Sequence, residues 1–521
     1  MSEASTSADA PQMVAFEPGD PSNPYNWSKG KKMLIILLGT LVVFNTTLAS
    51  SLPSLAQHAI LDHFHIDGDI EGPLPNSIYL VGYILGPTVW APLSEHIGRR
   101  WITMGSFIAY AAFEGACTGA PTWGSLIGLR LLTGICGSAP ISLIGGLFAD
   151  VLDDPVWRGR SIAWFVTISG VGPFLGPVVS GCMVQFGWQW PFWLEVICAG
   201  ACAIPLILFL PETFAPALLQ AKAKKFRKEH LDKPPIYAPL ELQQHTGFLQ
   251  LVTRIVARPL QMIISEPIVA ACCIYLALVY STVYMLFQSF GVIYPPIYGF
   301  GPLQTGLAFL PMTVGAFISL PVYFCYDAYL RNAKSARKSW AFKEEFQRLP
   351  LACLGGPLMP IGMFWIGWTA RKSIHWIVPM LGGLPFGLGF ILVFIALYNY
   401  MVDAYKIYSA SAVGATSIVR SVCGVVLPFA ARPMYETLGV GWACSLLGFA
   451  SAVMCAIPWI FISCGPELRA RSRICRELAG ASEEGRGRGD MGGKQVSDGE
   501  SQQGGGGDGG GEEEGCEDDA G

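Results

Sequence analysis

A few charged side chains stand inside long apolar runs of this sequence, where they could do chemistry. Glu114 lies in AYAAFEGACTG, Arg130 in LIGLRLLTGICGSAP and Arg420 in SIVRSVCG. Burial disfavours the charged form of a carboxyl group, which suits a proton carrier, although a protonated hydrogen-bond donor between helices is an equal alternative for Glu114. An arginine costs at least about 2.5 kcal/mol at the centre of a bilayer, so Arg130 should have a partner or face a water-filled cavity. Its plain structural role would be donation to backbone carbonyls of neighbouring helices, and Arg420 invites the same argument.

A second concentration of charge is the stretch APLSEHIGRR at residues 91–100. It contains Glu95, and its Gly98 permits a tight reversal of the chain just before Arg99 and Arg100. The two arginines alone could be a positive anchor at the cytoplasmic face of a membrane. An anchor does not explain the glutamate or the crowding of charge, so we interpret the stretch as part of a conformational gate.

Two aspartates lie where apolar runs end and could belong to the same gate. Asp150 closes GGLFAD and is placed to meet Arg99 or Arg100. Asp403, in NYMVDAY, is predicted to cap the helix that follows it, because a carboxylate is stabilised at the positive end of a helix dipole. Both predictions require helices that bring these ends together.

The composition indicates what those helices are. Of 521 residues, 52% are hydrophobic and only 14% are charged, and the mean hydropathy is +0.44, which is too apolar for an ordinary soluble protein. A bilayer core needs about 20 consecutive apolar residues for each spanning helix. Such segments follow one another along the chain and predict an all-α polytopic membrane protein with twelve transmembrane helices. They are residues 33–55, 74–92, 101–120, 125–151, 161–184, 190–210, 267–293, 302–325, 351–370, 374–400, 404–431 and 439–464.

The longest polar interruption divides these segments six and six. It carries LLQAKAKKFRKEHLDKPP, which predicts a basic, amphipathic helix followed by a proline-broken linker. Equal halves around a basic loop are the outline of a transporter made of two six-helix bundles with a substrate site near the midplane. The predicted divisions are a cytosolic N-terminal tail at 1–32, bundles at 33–211 and 267–464, a cytosolic central loop at 212–266, and a disordered Gly- and Glu-rich cytosolic tail at 465–521.

The distribution of positive charge predicts the orientation. Cytoplasmic loops collect Lys and Arg, and with both termini in the cytosol almost all of the 34 lysines and arginines lie on that side. Only Arg371, Lys372 and Arg432 fall outside, and Arg130 and Arg420 lie within helices. We therefore expect a multi-pass protein of the plasma membrane, with the vacuolar membrane as an alternative.

The motifs resemble those of the major facilitator superfamily. GPTVWAPLSEHIGRR falls between the second and third helices and is similar to the superfamily's loop signature, with Glu95 where Asp is commoner and His96 where Arg is commoner. It looks like the form found in fungal drug:proton antiporters with twelve spanning helices. In the fourth helix, the surroundings of Arg130 resemble an arginine motif that is linked to proton coupling.

The fifth helix contains GVGPFLGPVVSG, which resembles the antiporter motif of exporters. Small residues at these spacings also let helices approach closely, so a packing role is an alternative. The resemblance continues in WQWPFWLEVI, in LPETFAPALLQAKAKKFRK and in NYMVDAYKIYSASAVGATSIVRSVCG, and it covers residues 23–472. The motif residues are Gly172, Pro173, Gly176 and Pro177.

This resemblance implies proton-coupled efflux of small organic molecules by alternating access, with protons and such a molecule as partners. Antifungals, polyamines, secondary metabolites and toxins are the implied substrates, and the scarcity of acids in the helices favours a neutral or anionic compound over a polycation. We predict a latch in which Glu95 meets the amino end of the eleventh helix and Arg99 pairs with Asp150. The central cavity is expected to be lined by Asn45, Tyr83, Trp164, Tyr284, Gln288 and Asn399.

Three other functions are alternatives to efflux. A proton symporter for uptake of an organic acid or nutrient has the same fold, but the antiporter motif argues against it. A non-transporting sensor would need a signalling domain, and a membrane-embedded enzyme would need a His, Asp or Ser constellation. HFH at residues 63–65 lacks spaced partners for a metal, and no Walker sequence supports ATP-driven export. We expect a monomer with no cofactor, no metal and no nucleic-acid partner.

Overall fold

The computed structural model describes residues 13–17, 19–67, 71–229, 236–238, 241, 248–405, 409–472 and 476. The chain divides into two units, Met1–Leu468 and Arg469–Gly521. The second unit is described only at Arg469–Ser472 and Arg476, where the last helix ends. The tail that the sequence predicts to be disordered lies otherwise outside the described residues, as do residues 1–12.

The first half of the chain forms α-helices that follow the apolar segments closely. The first begins at Lys29 because the side chain of Ser28 caps it, accepting from the amide of Lys31. The helices are α1 Lys29–Ala49, α2 Gln57–Phe64, α3 Leu74–Ile97, α4 Arg99–Thr118, α5 Trp123–Val151, α6 Pro155–Met183, α7 Trp190–Phe209 and α8 Ala215–Glu229. The predicted basic helix of the central loop is present as α8.

The second half repeats the pattern. Its helices are α9 Phe248–Ser265, α10 Pro267–Tyr298, α11 Pro302–Leu307, α12 Leu310–Ser335, α13 Glu344–Thr369, α14 Ile377–Leu381, α15 Gly383–Tyr405, α16 Ser409–Val426, α17 Pro428–Met454 and α18 Ala456–Arg471. Gly439, with a φ of +73°, breaks α17 into two helical stretches, since only glycine adopts this conformation at little cost. The eleventh predicted segment therefore continues through the start of α17, and the twelfth begins at Gly439.

Length and composition make nine helical segments of the described residues fit to cross a membrane. Helices α3 and α4, of 24 and 20 residues, are as long as a span but more polar. Several boundaries differ from the predictions. Helix α15 continues to Tyr405, past the predicted end at Tyr400, α12 continues to Ser335, past the predicted end at residue 325, and α13 begins at Glu344, before residue 351. The predicted central loop contains a second helix, α9.

Glycines allow the helices to pack closely within each half. A Cβ atom on Gly86 of α3 would lie 2.6 Å from the carbonyl oxygen of Ile135 on α5. In the second half, a Cβ on Gly389 of α15 would lie 2.5 Å from the carbonyl oxygen of Gly355 on α13. Because lipid gives helices no hydrophobic reason to associate, such backbone contact is a main source of cohesion.

The helices have two ends that differ in charge. Arg99, Arg160 and Arg348 lie at one of them, which we call the basic end; Ser51 and Pro302 lie at the other, which we call the opposite end. Contacts between the halves exist at both ends and between them.

Candidate coupling site and gate

Glu114 on α4 and Arg130 on α5 form a fully buried ion pair. Nη1 of Arg130 lies 3.2 Å from Oε2 of Glu114, and both side chains are 0% exposed. Nη2 of Arg130 also donates to the carbonyl of Ala49 at 2.8 Å, and Nε donates to that of Pro75 at 3.3 Å. The arginine thus has both a charged partner and backbone acceptors.

This arginine ties three helices to one carboxylate. Ala49 is the last residue of α1, and Pro75 lies in the first turn of α3, so the pair is near the opposite end. The rings of Tyr79 and Phe192 cover the guanidinium at 4.5 and 5.7 Å from their centroids. Removing one partner of such a pair costs about 3–5 kcal/mol, because it leaves a buried charge without compensation.

A second carboxylate, Glu195 on α7, lies beside this pair and was not predicted. Its side chain is 1% exposed, and Oε1 accepts a hydrogen bond of 2.6 Å from the hydroxyl of Tyr110 on α4. Oε2 has no hydrogen-bond partner among the described residues, and Glu195 interacts electrostatically with both Glu114 and Arg130. We call Glu114, Arg130, Glu195 and Tyr110 the acid cluster.

The acid cluster contains two carboxyl groups and one guanidinium, and among the described residues only Glu114 pairs directly with Arg130. With both carboxyls ionised it carries one net negative charge, and with one carboxyl protonated it is neutral. A buried net charge is costly. One of the two carboxyls is therefore a candidate site for an exchangeable proton. The signal for Glu195 was present in the sequence, as a single acid inside the apolar run WLEVICAG.

At the basic end, the turn between α3 and α4 is held by another unpredicted glutamate. Gly98 adopts a φ of +103° between the two helices. Oε1 of Glu212 accepts from the amide of Arg99 at 3.0 Å, and Oε2 accepts from that of Arg100 at 3.2 Å. A carboxylate at this position satisfies two free amides and complements the helix dipole. A Cβ on Gly98 would collide with this carboxylate.

The expected pair between Arg99 and Asp150 is present, with Nε of Arg99 2.5 Å from Oδ2 of Asp150. Glu95 is exposed and makes no hydrogen bond or ion pair to a described residue. The chain from 406 to 408, just before Ser409, lies outside the described residues, so the contact of Glu95 with the amino end of the eleventh helix stays a prediction.

The prediction that Asp403 caps the eleventh helix is wrong. Because α15 continues to Tyr405, Asp403 lies in its last turn and not before α16. Its Oδ2 accepts from Nε of Arg348 on α13 at 2.9 Å. The carboxylate therefore joins α15 to α13 within the second half.

A charged bridge joins the two halves at the basic end. Nη2 of Arg160 on α6 lies 3.2 Å from Oδ2 of Asp327 on α12. Arg331, one turn further along α12, reaches the same oxygen at 3.4 Å. Beside the bridge, Gly159 faces the hydroxyl of Tyr323. No motif in the sequence pointed to this pair.

The antiporter motif on α6 packs against the end of α1 and against the second half. Pro177 lacks an amide hydrogen, so the carbonyl of Pro173 loses its partner within the helix. The hydroxyl of Ser51 donates to that carbonyl at 2.9 Å. A Cβ on Gly306 of α11 would lie 2.6 Å from the carbonyl oxygen of Pro177. Gly172 and Gly176 similarly face Thr47 and Ser51. The motif thus allows close contact at the opposite end.

The residues predicted to line the cavity are only partly brought together. The hydroxyl of Tyr83 donates to the carbonyl of Thr46 at 2.9 Å, and that of Tyr284 lies 2.8 Å from Oγ of Ser50, across the two halves. Asn399 donates to the carbonyl of Ile395 in its own helix. The remaining candidates differ in burial: Asn45 is 2% exposed, Gln288 is half-buried and Trp164 is 40% exposed.

Arg420 is half-buried on α16 and lies beside Tyr280. Its guanidinium carbon is 4.6 Å from the ring centroid of Tyr280, whose hydroxyl lies 3.2 Å from that of Tyr284. Arg420 also interacts electrostatically with Tyr83. In the described part of the chain, no group of three or more His, Cys, Asp or Glu side chains could hold a metal ion.

Comparison with known families identifies the chain. The family model of the Major Facilitator Superfamily matches residues 35–428. The chain belongs to the major facilitator superfamily. The match spans both halves, and the helices described above fit the superfamily's fold of twelve helices in two bundles.

Similar superfamily members are fungal. Efflux pump FUB11 of Gibberella moniliformis is 35% identical over 480 residues, which are 90% of this chain and 79% of that protein. MFS-type efflux pump MFS2 of Trichophyton rubrum is 35% identical, covering 91% of this chain and 78% of that protein. MFS transporter cpaT of Aspergillus oryzae is 36% identical, with 90% and 94% covered.

Solved structures of the superfamily show the same fold. The proton:xylose symporter XylE aligns with a TM-score of 0.59 at 15% identity, over 84% of this chain and 97% of XylE. The human organic anion transporter MFSD10 aligns with a TM-score of 0.55 at 16% identity, over 85% of this chain and 100% of MFSD10. At these identities the likeness is one of fold alone.

Proposed function

We propose that this protein is an efflux transporter that exports small organic molecules in exchange for protons. The observation that carries the proposal is the acid cluster, in which Glu114 pairs with Arg130 and a second buried carboxyl, Glu195, accepts from Tyr110 close by. Similarity to proteins named efflux pumps, over nine-tenths of the chain, supports the direction of transport.

Protonation of the acid cluster would be coupled to helix position through Arg130. With Glu114 ionised, the guanidinium is held between that carboxylate and the carbonyls of Ala49 and Pro75. A proton on Glu114 removes the charge that anchors the guanidinium to α4. The carbonyls of Ala49 and Pro75 still accept from Arg130, so the ends of α1 and α3 lose their anchor to α4. A proton on Glu195 leaves this anchor intact. We propose that the proton moves between these two carboxyls as the transporter changes state.

Loading would occur from the basic end, which we propose faces the cytosol. The bridge from Arg160 to Asp327 must break for the halves to separate there. Its side chains are 32% and 19% exposed, so it is worth about 1 kcal/mol or less and can open in each cycle. The buried pair of Arg130 and Glu114 stays intact while the basic end opens, because breaking it costs about 3–5 kcal/mol.

Efflux is tested in purified protein reconstituted in vesicles with an acidic lumen. An antiporter accumulates its substrate in the acidic lumen, and a protonophore abolishes the accumulation. An uptake symporter instead depletes the lumen under the same gradient. Transport that a protonophore leaves unchanged would contradict proton coupling. Candidate substrates are compounds that a pump-deficient fungal strain expels only when it expresses this protein. Efflux would be contradicted if the vesicles transported none of them.

A matched pair of variants separates coupling from folding. Glu195→Gln should keep the fold and lose accumulation, whereas Glu212→Gln alters a carboxylate at the basic end, away from the acid cluster. Glu212→Gln should retain accumulation driven by the pH gradient, although its rate is expected to fall. Equal loss of pH-driven accumulation in both variants would contradict a role specific to the acid cluster.

A further inference from the structure

Arg420 differs from the other buried arginine of the membrane region in having no carboxylate partner among the described residues. The hydrogen bond that the structure records for it comes from Nη2 to Oγ of Ser417, in its own helix, at 3.3 Å. Arg130, by contrast, is bound by a carboxylate and two carbonyls. A half-buried guanidinium with weak local partners retains free donors and an uncompensated charge.

The face of α16 that carries Arg420 lies between the two halves. Gly424, one turn further, faces Leu80 of α3 and the ring of Tyr280 of α10, with closest approaches of 3.1 and 3.3 Å to a Cβ placed there. At the adjacent residue, the hydroxyl of Ser77 on α3 donates to the carbonyl of Val425 at 3.1 Å. Residues four apart share a face of a helix. Arg420 therefore points to the interface along which alternating access must open.

Aromatic rings of both halves lie at this interface, and the ring of Tyr280 lies 4.6 Å from the guanidinium of Arg420. Tyr79 and Tyr83 of α3 have ring centroids 5.1 Å apart, and Tyr280 and Tyr284 of α10 have centroids 4.9 Å apart. Phe394 of α15 lies 6.4 Å from Tyr280. The hydroxyls of Tyr83 and Tyr284 are turned to Thr46 and Ser50 of α1. All four tyrosines are at most 6% exposed, so their rings pack in a closed interface near Arg420.

We propose that Arg420 and the surrounding tyrosines form a binding site for an amphipathic organic carboxylate. A guanidinium offers a planar fork that matches a carboxylate with two parallel hydrogen bonds. The aromatic walls would bind the apolar body of the same molecule. This inference deepens the proposed function by naming the class of substrate. It rests on the proposed function, which makes this interface a transport site.

The test measures binding of 2-naphthoate and its neutral isostere 2-naphthamide to purified protein in lipid nanodiscs. The wild-type protein should bind the acid roughly tenfold to a hundredfold more tightly than the amide, as expected of hydrogen bonds to a charged group. Arg420→Gln should remove this preference and leave amide binding within about twofold, whereas Arg420→Lys should retain part of it because a lysine keeps the charge without the fork. An unchanged preference in Arg420→Gln, or no preference in the wild type, would overturn the proposal.

Two further measurements keep the outcomes distinct. Inorganic phosphate that displaces 2-naphthoate at a similar concentration would overturn the assignment to an amphipathic carboxylate. Amide binding reports that Arg420→Gln is folded, and loss of it in that variant would overturn the separation of charged and apolar subsites. Failure of pH-driven transport in the wild type, with the acid preference intact, would contradict the proposed function and not this site.

Discussion

Replacing Glu195 by glutamine should uncouple transport from the proton gradient without unfolding the protein. The amide keeps the shape of the carboxyl, and its oxygen still accepts the hydrogen bond of 2.6 Å from Tyr110. No charge is left unpaired, because Arg130 retains Glu114 at 3.2 Å. We therefore expect the free energy of unfolding to change by about 1 kcal/mol or less.

Glu114→Gln is the contrasting variant, since it removes the carboxylate that directly pairs with Arg130. It should lower the free energy of unfolding by about 3 kcal/mol, at the lower end of the range for a broken buried pair, because the carbonyls of Ala49 and Pro75 still accept from the guanidinium. Chemical denaturation in detergent micelles measures both variants. Equal destabilisation would contradict the different positions assigned to the two acids.

The size of the coupling effect follows from the charge of the acid cluster. One protonatable site exchanges one proton in each cycle, and one unit of pH difference supplies about 1.4 kcal/mol for each proton. At zero membrane potential this sustains a roughly tenfold concentration ratio of a neutral substrate. In vesicles clamped with valinomycin and potassium, the wild type should approach this ratio, and Glu195→Gln should equilibrate at a ratio near one. Tyr110→Phe retains the carboxyl and should stay coupled. A tenfold ratio in Glu195→Gln would refute the assignment of the proton to this site.

Three other changes have defined outcomes. Arg160→Met breaks the bridge between the halves and should raise thiol labelling of the Tyr323→Cys variant from the basic end by up to about fivefold, which is the population shift that about 1 kcal/mol produces. Arg331→Met removes only a pair within α12 and should not raise this labelling. Ser51→Ala leaves the carbonyl of Pro173 without its hydroxyl partner and should lower the free energy of unfolding by about 1–3 kcal/mol. Ser94→Ala is the control, because the hydroxyl of Ser94 bonds within α3, and it should lower the free energy of unfolding by less. Equal losses in the two variants would contradict the role given to Ser51. The ammonium group of Lys222 and the hydroxyl of Ser22 lower the pKa of Asp20 to about 2. The ion pair of Asp20 with Lys222 therefore stabilises the N-terminal segment fully above the ordinary pKa of an aspartate. This stabilisation is lost as the pH falls through about 2. A spin-label distance between this segment and α8 should be the same at pH 7 and pH 5, and a change over that interval would show that another group controls the contact.

Local features of the sequence were enough to predict the class of protein and the positions of its helices. A spanning helix requires about 20 apolar residues wherever it occurs, so hydropathy located the segments without knowledge of their neighbours. The motif residues around Arg99 and Arg130, and the basic helix α8, were likewise recognisable from short stretches. Where the hydropathy pattern was ambiguous, as between the tenth and eleventh predicted segments, the predicted end of the helix at Tyr400 was wrong.

The partners of the charged residues were decided by the tertiary structure. Glu195 meets Tyr110 across 85 positions, Glu212 meets Arg99 across 113, and Arg160 meets Asp327 across 167. A membrane helix is apolar on most of its faces, so its sequence does not reveal which face meets which neighbour. The sequence alone thus identified a twelve-helix transporter with charges in unusual places. Packing of the helices determined that Glu114 pairs with Arg130, that Glu195 joins the same cluster through Tyr110, and that Arg420 is left without an acid beside it in the described chain. The reason is that a charge acquires its partner only when distant helices come into contact.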